Sequence, residues 1–486
     1  MERSPGVPND TSTDAELLAA AAVALNRHSV VLGELGRLFA DAGHDLFLVG
    51  GTVRDALLGR LNMDLDFTTD ARPERIQQII GAWADTLWDT GIAFGTISAA
   101  KGGNQFEFTT YRADTYDGVT RNPEVRFGDT LEGDLVRRDF RMNAMAVRVI
   151  PSGAGEFVDP LNGLADVRAM VLDTPAEPEV SFGDDPLRML RAARFVAQLE
   201  GVTVSPRVRE ALERMAPELS RITAERVAAE LDKTLLGRNP VAGVELMVDT
   251  GLGEVVLPEV GGMRMAIDEH HQHKDVYQHS LTVLRQAIDL EDDGPDLVLR
   301  WAALLHDIGK PSTRKHEPDG GVSFHHHEVV GAKMTRHRMR ALKYSKQMVS
   351  DVSQLVFLHL RFHGYGDGKW TDSAVRRYVT DAGPLLSRLH KLVRADCTTR
   401  NKRRAARLQA DYDDLEHRIA ELAAKEDLQR VRPDLDGNEI MELLGIPAGP
   451  QVGRAWTFLK ELRLERGPLS RDEATAELLK WWNATG

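Results

Sequence analysis

Two aspartates two residues apart, Asp64 and Asp66, are the first residues of this sequence whose types and spacing could do chemistry. Residues two apart on a β-strand project from the same face. Two carboxylates directed at one point form a hard oxygen site of the kind that suits Mg²⁺. Upstream, Gly50 and Gly51 predict a tight turn where backbone N–H groups can approach phosphate, because no Cβ is in the way. Together these features predict chemistry on a nucleoside triphosphate.

Short alternating elements must position these residues. The segment LVGGTVRDALLGRLNMDLDF predicts a strand, a glycine turn, a short amphipathic piece that carries Arg54, and a second strand with the two aspartates. A further strand, QFEFTTYR, places Glu107 between Phe106 and Phe108, which would face the core. Glu107 is therefore either a third carboxylate of the site or an ordinary exposed strand residue.

The ordered string from the glycine turn to Asp66 resembles the signature of the nucleotidyltransferase head in class II tRNA CCA-adding enzymes and bacterial poly(A) polymerases. That superfamily joins a nucleoside monophosphate to a 3′-hydroxyl. The resemblance implies that Asp64 and Asp66 hold two metal ions roughly 4 Å apart, one activating the hydroxyl and one steadying the triphosphate. It also implies that Gly50, Gly51 and Arg54 belong to the nucleotide site.

A second motif, DLVRRDFRMNAMAV, resembles the next part of the family's nucleotide site. Arg137 and Arg138 supply planar, permanently charged groups suited to triphosphate oxygens. Asp139 and Asn143 lie four residues apart and would share a face if the segment were helical. Asn143 could then bind a ribose hydroxyl or a phosphate, whereas a surface helix with an ion pair is the alternative.

A third motif, FGDDPLRMLRAARF, resembles the family's base-reading element. In the family, an acidic pair and an arginine three positions later read the incoming base in place of a nucleic acid template. The matching residues are Asp184, where the family usually has Glu, Asp185 and Arg188. A carboxylate can accept from the amino group of C or A, and a guanidinium can donate to a ring acceptor. Arg191 and Arg194 follow at helical spacing and could contact phosphate, although a solvated helix face is the alternative for Arg191.

The segment YRADTYDGVTRNPEVRFGD predicts a flexible loop between strands, because Gly, Asn, Pro and charged residues occur throughout. It resembles the flexible loop that CCA- and A-adding members possess and that CC-only members lack. Arg112, Asp114 and Arg121 are its candidate functional residues. A tolerated loop insertion is the alternative.

Histidines and aspartates in the C-terminal half indicate a separate site. Their order, His, His-Asp, Asp, resembles the HD metal-dependent phosphohydrolases, and mixed imidazole and carboxylate ligands suit Mn²⁺ or Ni²⁺. The triple His325–His327 leaves the register of one further position open, and an exposed histidine-rich loop is its alternative. The predicted ligands are His279, His306, Asp307 and Asp396, with His327 and His359 as possible additions.

The chain is acidic, with a net charge of −13 that argues against a broadly basic surface for nucleic acid. One segment, RNKRRAARLQA, is locally basic and could follow tRNA phosphates, or could be a solvated helix with ion pairs. Its candidate RNA-binding residues are Arg400, Lys402, Arg403 and Arg404.

The single cysteine, Cys397, excludes an intramolecular disulfide and fits a reducing compartment. Near the N-terminus, Thr13 and Glu16 predict a capping box that begins a helix, and the acidic residues there are unlike the basic region of a signal peptide. We therefore expect a cytoplasmic protein with no membrane partner.

The predicted fold class is α+β: a small mixed-sheet nucleotidyltransferase head of five or so strands, followed by an all-helical neck, body, HD domain and tail. The expected units are a flexible N-terminal tail and helix start (1–25), the head (26–172), a neck for base reading and RNA binding (173–262), the HD domain (263–400) and a helical tail (401–486).

The predicted function is template-independent addition of C, C and A to the 3′ end of tRNA from CTP and ATP, with Mg²⁺ in the head and a second, phosphohydrolase site. Two alternatives stay open: a poly(A) polymerase that adds AMP to RNA 3′ ends, and an HD hydrolase whose head binds nucleotide only as a regulator. The intact head motifs argue against the second alternative. We expect a monomer or a homodimer.

Overall fold

The computed structural model describes residues 13–61, 64–112, 127–265, 275–318, 322–365, 370–399, 401–426 and 432–485. The chain divides into two compact units, Met1–Pro258 and Glu259–Gly486. The architecture is α+β, as predicted, with the large sheet in the first unit and helices dominating the rest. The finer domain boundaries remain predictions.

The first unit opens with two helices. Helix α1 (Asp14–Asn26) begins with the predicted capping box, in which Thr13 and Glu16 bind each other's backbone N–H groups. Helix α2 (Ser29–Asp41) follows and packs against the sheet through buried residues such as Phe39. No single helix among the described residues is long and apolar enough to cross a membrane. Helices α1 and α2 have the length and apolar composition of a span only when taken together, and the chain bends by 83° between them.

Seven strands form one mixed sheet in the order β3-β4-β5-β2-β1-β6-β7. Within it β2 and β5 run parallel, and the other neighbouring strands run antiparallel. The strands are β1 (Leu46–Val49), β2 (Leu65–Thr69), β3 (Thr86–Trp88), β4 (Thr96–Lys101), β5 (Asn104–Thr110), β6 (Ala146–Ile150) and β7 (Gly153–Val158). The sheet has seven strands where five or so were predicted, and the short β3 leaves no signal in the sequence because its three residues show no buried alternating face.

Aromatic rings fill the buried face of the central strands. The rings of Phe67 on β2 and Phe108 on β5 stack with their centroids 4.9 Å apart, and Phe39 stacks on Phe108 at 5.9 Å. Trp83 meets Phe106 edge-on at 5.2 Å. Because side chains alternate along a strand, this aromatic layer directs the intervening residues of β2 and β5 to the opposite face.

Helices complete the first unit, and five of them begin with proline, where its missing N–H costs nothing. One correction to the all-helical neck is a two-residue parallel pair, β8 (Val171–Leu172) with β9 (Thr203–Val204). The helices are α3 (Gly51–Leu57), α4 (Pro73–Ile80), α5 (Leu131–Val136), α6 (Gly163–Ala169), α7 (Pro178–Asp184), α8 (Leu187–Gln198), α9 (Pro206–Met215), α10 (Ala224–Leu235), α11 (Pro240–Asp249), α12 (Leu252–Val256) and α13 (Pro258–Gly261), the last at the division between the units.

The second unit is a helical assembly around a fully buried Trp301. It also contains a two-residue antiparallel pair, β10 (Lys315–His316) with β11 (Val322–Ser323), which the sequence did not predict. Its helices are α14 (Val276–Ile288), α15 (Leu297–Leu305), α16 (Lys310–Thr313), α17 (His327–Ala341), α18 (Lys346–Leu358), α19 (Asp372–Ala382), α20 (Leu386–Asp396), α21 (Lys402–Lys425), α22 (Gly437–Leu444), α23 (Pro450–Arg466) and α24 (Arg471–Thr485).

Candidate active sites

The predicted carboxylates of the head lie together on the exposed face of the central strands. Asp64 immediately precedes β2, Asp66 lies within β2, and Glu107 is the register partner of Asp66 on the parallel strand β5. All three are exposed, whereas the flanking phenylalanines are buried. The Asp66 backbone N–H donates to the Thr52 hydroxyl at 2.9 Å, which ties β2 to the helix after the glycine turn.

The charges around Asp66 show what this cluster can bind. Crowding by protein atoms that exclude water, together with the negative charge of Glu107, raises the pKa of Asp66 to about 6, and Asp64 adds to the increase. The positive charges of Arg138 and Arg54 oppose it without cancelling it. A cation would relieve this repulsion, and the all-oxygen set of donors fits Mg²⁺. The three carboxylates are therefore suited to hold metal ions.

The glycine turn lies beside one of the predicted phosphate-binding arginines. Gly50 has φ 68°, and a Cβ built there would lie 3.0 Å from Arg138 Nη1. Gly51 begins α3, where a Cβ would lie 3.5 Å from Arg54 Nη2, an ordinary contact. The requirement for glycine is therefore strict at Gly50, where both backbone conformation and space demand it.

A buried aspartate, Asp134, anchors both arginines of the second motif. Its two carboxylate oxygens accept from Arg137 Nη2 at 2.7 Å and from Arg138 Nη2 at 3.0 Å. Burial alone would raise the pKa of Asp134, but the charges of Arg138 and Arg137 outweigh it and lower the pKa to about 2. Asp134 was not among the predicted site residues, although its i, i+3 and i+4 spacing to two arginines was a usable signal.

A chain of buried polar contacts joins the glycine-turn helix to the neck. Arg54 Nη1 donates to Asn143 Oδ1 at 2.7 Å, and Asn143 Nδ2 donates to Asp139 Oδ1 at 3.0 Å. Asp139 Oδ2 lies 2.6 Å from Arg191 Nη2 on α8. The condition of an α-helix is not met, since Arg141–Asn143 form a 3₁₀ turn, yet the side chains of Asp139 and Asn143 do meet.

Arg194 is also paired, with the buried Glu230 on α10 at 3.1 Å, and its guanidinium covers the Phe195 ring at 4.5 Å. Burial and the nearby Arg191 lower the pKa of Arg194 to about 10. Both neck arginines thus bind carboxylates here, and their contact with phosphate stays a prediction. Glu230 was missed, although it lies among the buried positions of an amphipathic helix.

The base-reading motif occupies the junction of α7 and α8. Asp184 is the last residue of α7 and is half-buried. Asp185 Oδ1 accepts from the Leu187 N–H at 3.2 Å, and Asp185 also pairs with Arg226 of α10 at 3.0 Å.

Arg188 connects this junction to the second motif. Its Nη1 donates to the Ser181 hydroxyl at 2.8 Å, and its Nη2 donates to the backbone carbonyl of Arg137 at 2.6 Å. The side chain matching the family's base-reading arginine therefore contacts the segment that carries the arginines predicted for the triphosphate.

Of the predicted loop residues, only Arg112 is among the described ones. Its Nη2 donates to the Thr96 hydroxyl at 3.1 Å, and its backbone N–H donates to Asp134 Oδ1 at 3.3 Å. Asp114 and Arg121 lie outside the described residues.

In the second unit, six side chains converge in two groups of potential metal ligands. Within each group, the ligand atoms lie within 4.8 Å of one another. Asp307 also lies between the groups, since its Oδ2 is 3.2 Å from His306 Nε2 and its Oδ1 is 3.3 Å from His327 Nε2. One group is His279, His306 and Asp396, and the other is Asp307, His327 and His359.

Backbone contacts direct the imidazoles inward. The Nδ1 atoms of His306, His327 and His359 lie 2.9, 2.8 and 2.6 Å from carbonyl oxygens three residues earlier in the chain. This leaves each Nε2 facing the cluster, which is the arrangement that second-shell contacts impose on metal-binding histidines. His327 is buried and His325 and His326 are exposed, which resolves the register of the triple histidine.

The buried cluster has polar atoms that a metal ion would satisfy. His327 Nε2 and His359 Nε2 are buried without a hydrogen-bond partner, and Asp307 Oδ2 lies 3.0 Å from the Lys310 ammonium group. Burial lowers the pKa of His359 to about 3, so its imidazole is neutral and able to ligate. Burial would also lower the pKa of His306, but Asp307 and Asp396 raise it to about 10, so metal binding there displaces a proton. The residues fit a divalent transition metal.

The basic cluster begins α21. Lys402, Arg403 and Arg404 are exposed in its first turn, after an Asn401 cap. Arg400 lies outside the described residues. An i, i+4 ion pair of Arg407 with Asp411, at 4.0 Å, occurs further along the helix.

Three family models match the chain: the "Poly A polymerase head domain" over 46–173, the "Probable RNA and SrmB-binding site of polymerase A" over 201–262, and the HD domain over 276–423. The matches follow the order of the predicted head, neck and HD domain.

Relatives and solved structures agree over nearly the whole chain. The A-adding tRNA nucleotidyltransferase of Deinococcus radiodurans is 33% identical over 452 residues, covering 90% of this chain and 96% of that protein. The CC-adding tRNA nucleotidyltransferase of Thermus thermophilus is 32% identical over 446 residues, covering 90% and 94%. The crystal structure of the Bacillus stearothermophilus CCA-adding enzyme in complex with CTP superposes with a TM-score of 0.66 at 25% identity, covering 93% of this chain and 97% of that chain. The chain therefore belongs to the tRNA nucleotidyltransferase family.

Proposed function

We propose that this nucleotidyltransferase adds C, C and A to the 3′ end of tRNA, from CTP and ATP and without a nucleic acid template. The observation that carries the proposal is the 2.6 Å hydrogen bond from Arg188 to the backbone carbonyl of Arg137. It places a side chain suited to reading a base next to one suited to holding a triphosphate. Side chains arranged in this way can select a nucleotide without a nucleic acid template.

The head residues would have separate roles in nucleotidyl transfer. Asp64, Asp66 and Glu107 would hold Mg²⁺, which when bound supplies Lewis-acid activation of the 3′-hydroxyl and stabilises the charge on the phosphates. Arg137 and Arg138, both anchored on Asp134, would bind triphosphate oxygens, with Gly50 leaving room beside them. The buried contacts of Arg54 hold the turn against the neck.

The neck residues would choose the base. An Asp185 carboxylate accepts from the exocyclic amino group that C and A possess, and Arg188 donates to a ring acceptor. Uracil and guanine present a carbonyl oxygen at the corresponding position, which repels the carboxylate, so each loses a hydrogen bond. Asp184 is one methylene shorter than the family's usual Glu, so we assign it a supporting role.

Binding of tRNA would use the neck and the basic first turn of α21. The family model over 201–262 describes an RNA-binding region, and Lys402, Arg403 and Arg404 are exposed for contact with phosphates. The loop sequence from Tyr111 to Asp129 resembles that of CCA- and A-adding members and favours them over CC-only activity. Location in the cytoplasm, and a monomeric or homodimeric state, stay predictions.

Nucleotide addition to defined RNA ends tests the proposal. Purified protein with Mg²⁺ is incubated with tRNA lacking CCA, tRNA ending in CC, and an unrelated RNA, with CTP and ATP singly and together. We expect two C residues from CTP alone and a complete CCA from both nucleotides. Addition of A only to the CC end, of CC only, or of long A tails to every RNA would each overturn the proposal in favour of a different activity.

We also propose that the second unit is a metal-dependent phosphohydrolase acting on a phosphomonoester or a 2′,3′-cyclic phosphate. The observation that favours it is the position of Asp307 between two groups of inward-facing ligands, each able to hold one Mn²⁺ or Ni²⁺. The test is hydrolysis of both substrate types after loading with each metal. Hydrolysis with no nucleotide addition would support the alternative of a hydrolase with a regulatory head. Absence of both hydrolysis and bound metal would reject this second function.

A further inference from the structure

We infer that Arg226 is a specificity-determining positioning residue that fixes the Asp185 carboxylate for base reading. Arg226 lies on α10, whereas Asp185 lies between α7 and α8, so the contact joins separate helices. Arg226 Nη2 lies 3.0 Å from Asp185 Oδ2 and 3.3 Å from Oδ1. The inference rests on the proposed function, because it concerns which nucleotide the same pocket accepts.

Two donors hold the carboxylate in one orientation. The Leu187 N–H donates to Asp185 Oδ1 at 3.2 Å, from the start of α8, and Arg226 binds from the side of α10. A carboxylate has about four acceptor positions, so these two contacts leave acceptor capacity for an incoming base. The backbone contact alone would allow rotation about the last side-chain bond, which is broad and soft for aspartate.

Arg188, the second predicted base-reading side chain, is also held in place by hydrogen bonds. Arg188 donates to the buried Ser181 hydroxyl at 2.8 Å and to the Arg137 carbonyl at 2.6 Å. The acceptor on Asp185 and the donors on Arg188 therefore keep a fixed separation only while Arg226 holds Asp185. Uracil carries a ring N–H beside the position of the cytosine amino group. A carboxylate free to rotate can follow that N–H, and discrimination against UTP then falls.

The Arg226 contact is suited to positioning rather than to holding the fold. The Arg226 side chain is 49% exposed and that of Asp185 is 21% exposed. Exposed ion pairs contribute little to folding stability, so a variant lacking the arginine should fold.

The test compares three variants on tRNA lacking CCA. We expect Arg226→Ala to reduce the CTP-to-UTP ratio of kcat/KM about tenfold, the effect of losing one charge-assisted hydrogen bond. Arg226→Lys should restore part of the ratio. Arg209→Ala is the matched control, because Arg209 is an exposed neck arginine paired with Glu213 on its own helix. It should keep the wild-type ratio.

A double-mutant cycle distinguishes positioning from a general structural effect. If Arg226 acts through Asp185, Arg226→Ala should cause no further loss of discrimination in an Asp185→Asn background. Fully additive losses, or an unchanged ratio in the single variant, overturn the inference. A wild-type protein that adds neither C nor A overturns the proposed function instead, so the two failures are distinguishable.

Discussion

Asp66 on β2 and Glu107 on β5 are register partners in the parallel strand pair of the head sheet. Their side chains share one exposed face because the stacked rings of Phe67 and Phe108 occupy the other. The aromatic core therefore determines where two carboxylates from distant parts of the sequence meet. Any loss of this register would carry one carboxylate to the wrong face.

The first prediction concerns these carboxylates. Asp66→Asn or Glu107→Gln should lower kcat for CTP addition by about 10³-fold, because loss of a metal-binding charge removes several kcal/mol of transition-state stabilisation. Helical content and thermal stability should stay near wild type, since both side chains are exposed. Single-turnover kinetics measures the rate and circular dichroism measures the fold.

Glu156→Gln is the control for the loss of a strand carboxylate. Glu156 is exposed on β7, at the edge of the same sheet. It should retain wild-type kinetics. A Glu107→Gln variant that also retained them would show that Glu107 is only a surface residue.

The second prediction concerns the glycine turn. Gly50→Ala should lose about 1–2 kcal/mol of stability, because an L-residue at φ 68° is strained, and its methyl would crowd Arg138 at 3.0 Å. The KM for CTP should rise as the guanidinium is displaced. Gly59→Ala is the control, since Gly59 has φ 67° but open space around a Cβ. Gly59→Ala should lose a similar amount of stability and keep the wild-type KM for CTP.

The third prediction concerns the pH dependence contributed by Asp134. Its pKa is lowered from 3.8 to about 2 in the folded protein, so its ion pairs stabilise the fold above about pH 4 and lose that contribution as the pH falls toward 2. The shift corresponds to about 2 kcal/mol. We expect the stability difference between wild type and Asp134→Asn to narrow by about 1 kcal/mol between pH 5 and pH 3. Urea unfolding measures it. A stability difference between wild type and Asp134→Asn that stays constant from pH 5 to pH 3 would contradict this prediction.

The sequence predicted those parts of the sites whose residues are close in sequence or carry a family motif. Asp64 and Asp66 were proposed from their spacing, and Glu107 from its alternation with two phenylalanines, and the fold brings these carboxylates to one exposed face. Glu230 and Arg226 were missed because their partners on α8 and at the α7–α8 junction are reached only through tertiary packing. A sequence pattern indicates which face of a helix is buried. It does not indicate which other helix packs against that face.

The histidine cluster shows the same limit. The sequence supplied the ligand types but left the triple histidine ambiguous, because adjacent helix-start positions look alike in a pattern. The structure separates them: His326 has φ 63° before α17, and His327 begins the helix with its ring buried. The left-handed backbone conformation of His326 depends on how the preceding segment enters α17. The spacing of residues in the sequence does not predict it.

The fourth prediction concerns the independence of the two chemistries. His306→Ala combined with Asp307→Ala should abolish phosphohydrolase activity and leave CCA addition largely intact, because the head carboxylates lie on separate elements. Assays of both activities on one preparation measure this. Loss of nucleotide addition in a folded double variant would contradict it.

Metal content tests the two-group arrangement directly. We expect about two Mn²⁺ or Ni²⁺ ions per wild-type chain and about one in His359→Ala, which loses a ligand from one group only. His325→Ala is the control, because this exposed histidine adjoins the triple without entering the cluster. It should keep both ions, measured by elemental analysis after dialysis. One ion in both wild type and His359→Ala would show that the centre is mononuclear, with Asp307 bound to a single metal.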